Sequence, residues 1–258
     1  MKFSLERRYT YEKLINIILI FSITFLCIPT SSINANEFKG NKYDHLSQKE
    51  IELLYEIYEI DPNFTYEREL VAITKTVQVL ETEEEYLKNY DGVLTKGAIG
   101  SNEMSIYVTA SRVPESGKDT FNITATATWK MVPAFRMQDA FALAWADNFA
   151  LISSSATASY KSIGVAAGKT NLISQSPNQG VGYSVECSDY YGQALEWVRI
   201  NAKISKNDSS GIANVSSSYC HRKASVGGIG VSFGPGAGIS FNVTGFEDQM
   251  ANYTTLNY

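Results

Sequence analysis

Glycines, cysteines, histidines and acids are where chemistry would begin in this chain, and each set meets a spacing test. Gly164-Val165-Ala166-Ala167-Gly168-Lys169-Thr170 approaches a phosphate-binding loop. Such a loop needs four residues between its first glycine and the Gly-Lys-Thr, so that enough backbone N–H groups curl around the phosphates. Here three intervene, and Asn171 to Pro177 does not read as the helix that must follow. The dinucleotide pattern fails too: it would need glycine at 233 or at 239, where Phe233 and Ile239 stand. No nucleotide or other cofactor is expected.

Only His45 and His221 are present, so no histidine-based metal cluster, and no metal site, is expected. Cys220 and His221 are neighbours, but neighbours on a strand face opposite sides, so they do not make a nucleophile–base pair. Asp61 to Tyr66 begins like a calcium loop, yet Tyr66 stands where that loop's turn requires glycine. No pair of acids is singled out for glycoside-type chemistry. A carboxylate-based hydrolase therefore stays an alternative with no catalytic residue assigned. For binding, Trp197 with Tyr190 and Tyr191 offers a stacking platform for sugar or peptide, with ordinary packing the competing reading. Arg136 is the remaining binding candidate.

The elements that must position these residues change character along the chain. Leu46-Ser47-Gln48-Lys49-Glu50-Ile51 predicts a helix start with Ser47 and Glu50 as a reciprocal capping box. That helix carries Ile51, Leu54, Tyr55 and Tyr58 on one stripe and stops before Asp61-Pro62. Leu70 to Leu80 tips toward strand through its β-branched residues, and Thr82 to Tyr90 reads as a second short helix. From about Met104 the period becomes two. Phe121, Ile123, Ala125, Ala127 and Trp129 alternate with polar residues, and Phe141, Leu143 and Trp145 alternate with alanines. Further strands are expected near 182–188, 194–204, 212–221, 225–233 and 239–246. The whole predicts a mainly β fold, an antiparallel β-sandwich or partly closed barrel of about eight to nine strands preceded by two short helices. Residues 36–100 form a helical or mixed segment and 101–258 the β-domain. Ile229, Val231 and Phe233, continued by Ile239, Phe241 and Val243, make one face of a hairpin turning at 234–238. Gly228 and Gly230 leave its other face thin, open to close approach by a backbone or a bulky side chain.

Lys2, Arg7, Arg8 and Lys13 precede an apolar run of about 14 residues, short of the roughly 18–20 that cross a bilayer. Residues 1–35 read as a signal peptide cut near Ala35, which predicts a secreted or cell-surface protein. Removing that segment leaves Cys187 and Cys220, an even pair in an oxidising compartment, expected to form a disulfide. The whole chain has 22 basic and 27 acidic residues, net −5. Non-specific nucleic-acid binding, which needs a basic face, is excluded.

Thr128-Trp129-Lys130-Met131-Val132-Pro133-Ala134-Phe135-Arg136-Met137-Gln138-Asp139 resembles a corner in uncharacterised exported β-rich proteins of Gram-positive bacteria that have no assigned activity. The resemblance spans residues 104–245 and carries no catalytic residue across. Pro133 would fix the corner, with Arg136 pairing with Asp139 across it. The reading is an exported, non-catalytic β-domain that binds a glycan or protein at the cell surface or outside the cell. A membrane-active, toxin- or bacteriocin-like β-protein is the alternative, and only under it is a membrane the partner.

Overall fold

The computed structural model describes residues 46–60, 70–76, 97–98, 104–115, 118–133, 135–146, 149–206 and 210–258. The signal segment, the second short helix and the calcium-like loop lie outside the described residues. Residues 47–258 form one compact unit.

Helix α1 (Gln48–Ile60) begins as its capping box predicts. The Glu50 N–H donates to Ser47 Oγ at 3.3 Å, and Ser47 N–H donates to Glu50 Oε2 at 2.8 Å. Leu53, Leu54 and Ile57 are its buried residues, so the buried stripe is turned partly away from the expected one. The reason lies outside the helix: Tyr107 donates to Glu56 at 2.9 Å and fixes which side meets the sheet.

Among the described residues, twelve strands follow in two six-stranded sheets, a mainly β, sandwich-like fold. The strands are β1 (Leu70–Thr76), β2 (Gly97–Ala98), β3 (Met104–Glu115), β4 (Lys118–Trp129), β5 (Gln138–Trp145) and β6 (Ala150–Tyr160). Then come β7 (Gly164–Ala166), β8 (Thr170–Ser176), β9 (Gly180–Glu186), β10 (Leu195–Lys206), β11 (Ile212–Gly234) and β12 (Gly238–Asn257). One sheet runs β1-β3-β4-β10-β6-β7 and the other β2-β12-β11-β5-β9-β8. Neighbours are antiparallel except β2 and β12, which are parallel. The count exceeds eight or nine because β1 and β2 precede the expected β-domain, and because β7 and β8 were not expected as strands, β7 having three residues, too short for a periodic signal.

The inter-sheet core holds the large residues of the alternating strands: Phe121, Ile123 and Trp129 from one sheet, Phe141, Leu143, Trp145 and Tyr219 from the other. Trp145 Nε1 donates to the Phe149 carbonyl at 2.8 Å, so its buried indole leaves no unpaired donor. The near-Walker stretch is β7, a turn and the start of β8, a glycine-hinged passage from one sheet to the other.

The second sheet is buried on both sides, which a single sandwich would not require. Ala140 and Ala142 point away from the inter-sheet core, yet both are fully buried, in a cluster with Cys220, Ile229, Val231 and Phe241. The cover is the far half of the β11–β12 hairpin. Near its base β11 lies beside β5, with Val215 to Cys220 paired to Trp145 to Ala140. The ladder then slips between Arg222 and Ala224 and between Ser225 and Ile229, and the hairpin folds back over its own sheet. Such bulges bend a strand while leaving the pairing on either side intact. Opposite the bulge stands Gly245 at φ 124, a conformation that a side chain would resist. At the tip, Ser216 Oγ donates to the Ala237 carbonyl and fastens the turn to the base of the same hairpin. The strands expected at 212–221 and 225–233 are therefore one strand, bent by its bulge.

Candidate functional site

Two features concentrate polar or amphipathic residues in a way that packing alone does not demand. The first is a buried knot. Asp139 begins β5, Cys187 follows β9, and Tyr219 and His221 lie on β11. Strand alternation turns all four toward the inter-sheet side. Asp139 Oδ2 lies 2.8 Å from Cys187 Sγ, Tyr219 OH and His221 Nδ1 alike. Its Oδ1 accepts the Arg222 N–H at 2.9 Å. The His221 ring stands edge-on to Trp129 at 5.0 Å. Burial first, and the Asp139 carboxylate second, push the Cys187 thiol well above its ordinary pKa, and the Tyr219 phenol moves the same way for the same reasons. Cys187 thus stays a protonated donor rather than a thiolate nucleophile.

Asp139, Cys187 and His221 present ligand atoms within 4.8 Å of one another, a donor set of the type that holds zinc. Counting histidines along the sequence missed this grouping, because a mixed set needs only one. The geometry nonetheless centres on the carboxylate oxygen, which stands at hydrogen-bond distance from thiol, phenol and imidazole together. The knot joins the entry to β5, the exit of β9 and the last residues of β11 before its bend.

Two expectations are corrected here. Cys187 and Cys220 are free thiols, not a disulfide. Cys220 pairs with Ala140 on the outer face of its sheet, whereas Cys187 belongs to the inter-sheet core. An even cysteine count carries no information about which face each residue takes. Arg136 does not pair with Asp139. It donates to the Gly192 carbonyl, bracing one loop against another, while both Asp139 oxygens are engaged in the knot.

The proposed stacking platform divides. Trp197 is only 6% exposed and lies under the Arg199 guanidinium, 4.9 Å from ring centre to Cζ. Tyr190 and Tyr191 are 84% and 82% exposed on the loop after β9. Asp189 shapes that loop by accepting the Tyr191 N–H at 3.0 Å and the Gln193 N–H.

The second feature is the folded-back hairpin. From Ala224 to Phe246 no residue carries a charge, and Arg222-Lys223 and Glu247-Asp248 bracket the stretch. Lys223 Nζ meets Asp248 Oδ2 at 2.5 Å across the base. Ile229, Val231 and Phe241 lie face-down on the sheet, while Gly228, Ser232, Ser240, Asn242 and Thr244 face outward and are exposed. The thin glycine face is thus left open: a side chain at Gly228 would meet nothing within 4 Å, and one at Gly230 would meet only Asn242, at 3.6 Å. The close approach happens on the floor beneath. A Cβ at Gly180 would sit 2.5 Å from the Phe233 ring and 2.8 Å from the Leu143 carbonyl. One at Gly182 would sit 3.0 Å from Val231 Cβ.

No protein-family model matches the chain, and no curated protein sequence matches it. Among solved structures, one described as a pore forming protein aligns at 6% identity and TM-score 0.38, covering 75% of this chain and 95% of its own. The NetB toxin of Clostridium perfringens in its membrane-inserted form aligns at 6% identity and TM-score 0.33, covering 63% and 93%. The C-terminal domain of the Streptococcus agalactiae AgI/II polypeptide BspA aligns at 11% identity and TM-score 0.31, covering 73% and 74%. These are low scores, and the functional reading rests on the chain's own residues.

Proposed function

We propose that this chain is an exported, membrane-active β-protein whose hairpin, residues 224–246, leaves the sheet and enters a bilayer. The observation that carries this is the hairpin's composition and placement together. It is an uncharged amphipathic ribbon, apolar side down on its own protein, hinged by a bulge at a charged base. Membrane-crossing strands alternate apolar residues toward lipid with small or polar residues toward the lumen. Here Ile229, Val231, Phe233, Ile239, Phe241 and Val243 would meet lipid. Gly228, Gly230, Ser232, Ser240, Asn242 and Thr244 would line the other side.

Length supports the same reading. The sequence pattern suggested arms of about eight residues, short for a bilayer. Counted through the slip between Ser225 and Ile229, the uncharged arms span residues 224–234 and 238–246, eleven and nine residues, against the roughly 9–11 that a tilted membrane strand needs. The part paired without a slip is 229–234 with 238–243. A lone two-stranded ribbon would expose unpaired backbone groups to lipid, so several copies must close a barrel together.

The test is dye release from liposomes by the parent and by a tethered variant, Gly182→Cys with Val231→Cys, whose Cβ atoms would lie close enough to bridge after slight adjustment. Release is expected from the parent and from the reduced variant, and none from the oxidised one. Equal release from the oxidised variant, or none from the parent at micromolar concentration, overturns the proposal. The first-ranked reading from sequence, an exported domain that binds a glycan or protein, keeps one observation in its favour: the exposed Tyr190–Tyr191 pair.

A further inference from the structure

We infer that the loop end containing Tyr190 and Tyr191 is a docking face for a phospholipid bilayer, seating its side chains among the headgroups. This rests on the membrane-active reading above and names the surface that would bring the hairpin to its target.

Three segments make this end: residues 130–133 with 135–137, residues 161–169 including β7, and residues 187–194. Backbone and side-chain bonds hold them as one body. Cys187 N–H donates to the Met137 carbonyl at 3.1 Å, Lys161 N–H to the Ala194 carbonyl at 3.0 Å, and Lys169 Nζ to the Ser188 carbonyl at 3.4 Å. Arg136 adds its bond to Gly192. On this frame the exposed apolar residues are Met131, Val132, Phe135, Ile163 and Val165, together with the two tyrosines, whereas Ile152, Leu172, Ile212 and Tyr253 are exposed elsewhere. Val165 is 60% exposed, so this is open apolar surface rather than the edge of the core.

Tyrosine is an interfacial residue, with an apolar ring and a polar hydroxyl suited to the boundary between acyl chains and headgroups. The same loops carry the cations Lys130, Arg136 and Lys161, with Lys169 buried beneath them, its Nζ 3.8 Å from the Tyr190 ring centre. On the loops themselves the acid is Asp189, turned inward to shape its loop. Asp139, Glu186 and Glu196 flank them, Asp139 held in the buried knot, Glu186 accepting from Gln138 at 3.0 Å and Glu196 from Ser159 at 3.5 Å. The end is therefore locally positive on a chain that is negative overall, the complement of headgroup phosphate.

Position completes the case. The hairpin bends just after Arg222, whose N–H is held by Asp139, and Asp139 stands directly after the 130–137 loop and Gln138. The docking end and the hinge thus share one end of the sandwich, so a molecule seated there holds the base of its hairpin beside the bilayer.

The experiment is flotation of the full exported chain with vesicles of phosphatidylcholine alone and with added phosphatidylglycerol. Tyr190→Ser/Tyr191→Ser is compared with Tyr253→Ser, a 75% exposed tyrosine outside these loops. The double variant should lose at least tenfold in vesicle binding and the control nothing, with unchanged melting temperatures. The anionic vesicles should bind more tightly, and Lys130→Glu/Lys161→Glu should abolish that preference. The oxidised Gly182→Cys/Val231→Cys variant should still float while releasing no dye. A parent that floats but never leaks removes the hairpin reading and leaves the docking face standing. A double variant that floats like the parent overturns the docking face, as does a parent that ignores vesicles but loses binding to a glycan or protein when the tyrosines are replaced.

Discussion

The two halves of the β11–β12 hairpin belong to one continuous ladder but are held by different physics. Near the base, residues 212–222 and 247–257 are paired strands of a sheet, the first of them hydrogen-bonded to β5 and knotted to Asp139. Beyond the bulge, the ribbon has no lateral strand partner among the described residues and rests on the sheet through apolar contact, fastened at the tip by Ser216. Directional bonds that would each be left unpaired hold the first half. Contact area, which is non-directional and can be exchanged for another apolar surface, holds the second. A single chain can thus keep a fixed body and a transferable arm without a linker between them.

The sharpest way to break this contrast is at the knot. Asp139→Ala strands the Tyr219, Cys187 and His221 donors and the Arg222 N–H in a dry interior, and should cost about 3–5 kcal/mol by denaturant melting. A loss below about 1 kcal/mol would mean that the base is no better anchored than the arm. Gly180→Val attacks the other half. Its new side chain meets the Phe233 ring and the Leu143 carbonyl, and overpacking of this kind costs about 1–3 kcal/mol. Hydrogen exchange should show the loss concentrated at amides 229–243, with 213–221 little changed. Equal loss in both halves would show that they open as one unit.

Alkali offers a graded probe of the buried thiol and phenols, those of the knot together with Tyr107 and Tyr160, whose values are raised by burial too. The folded-state pKa values of Cys187 and Tyr219 are raised, so the unfolded chain releases these protons first as pH rises. The stabilisation is complete below the ordinary thiol value of 9.0 and declines above it by about 1.4 kcal/mol per pH unit for each group. The melting temperature should fall above pH 9 and more steeply once the phenol's ordinary value of 10.0 is passed. Cys187→Ser should remove the first part of that fall. The smallest effect is expected at Gly230→Val. The new methyl groups enter open space beside Asn242, so stability should change by less than about 0.5 kcal/mol. A larger loss would mean that the outward face of the arm is covered.

The sequence reading succeeded where one residue's neighbours along the chain determine its environment. The capping box at Ser47 and Glu50, the strand beginning at Leu70 and the alternation from Phe121 to Trp129 are local signals, and the fold keeps all three. It missed what depends on the third dimension. Ala140, Ala142 and Ala144 alternate with large residues and look like a weakly buried face, yet they are fully buried because a distant ribbon lies over them. The bulge after Arg222 interrupted the period and split one strand into two in the reading. The knot was hidden because its members are spread from position 139 to 221, and no spacing rule links them. Tyr190 and Tyr191 were picked out as binding candidates by type, but their exposure and the bracing by Arg136 needed coordinates.

The small-residue floor under the arm has a consequence for what remains after the arm departs. That floor is made of Ala140, Ala142, Gly180, Gly182, Ser184 and Cys220 with Ile173 at its edge, while the other bulky apolar side chains of the contact sit on the ribbon. Uncovering methyl groups and backbone creates little greasy surface on the body. The body would stay wettable and monodisperse once its arm had gone, with no fresh adhesive patch to draw neighbouring bodies into a precipitate. The chain places nearly all the stickiness of this contact on the part that moves.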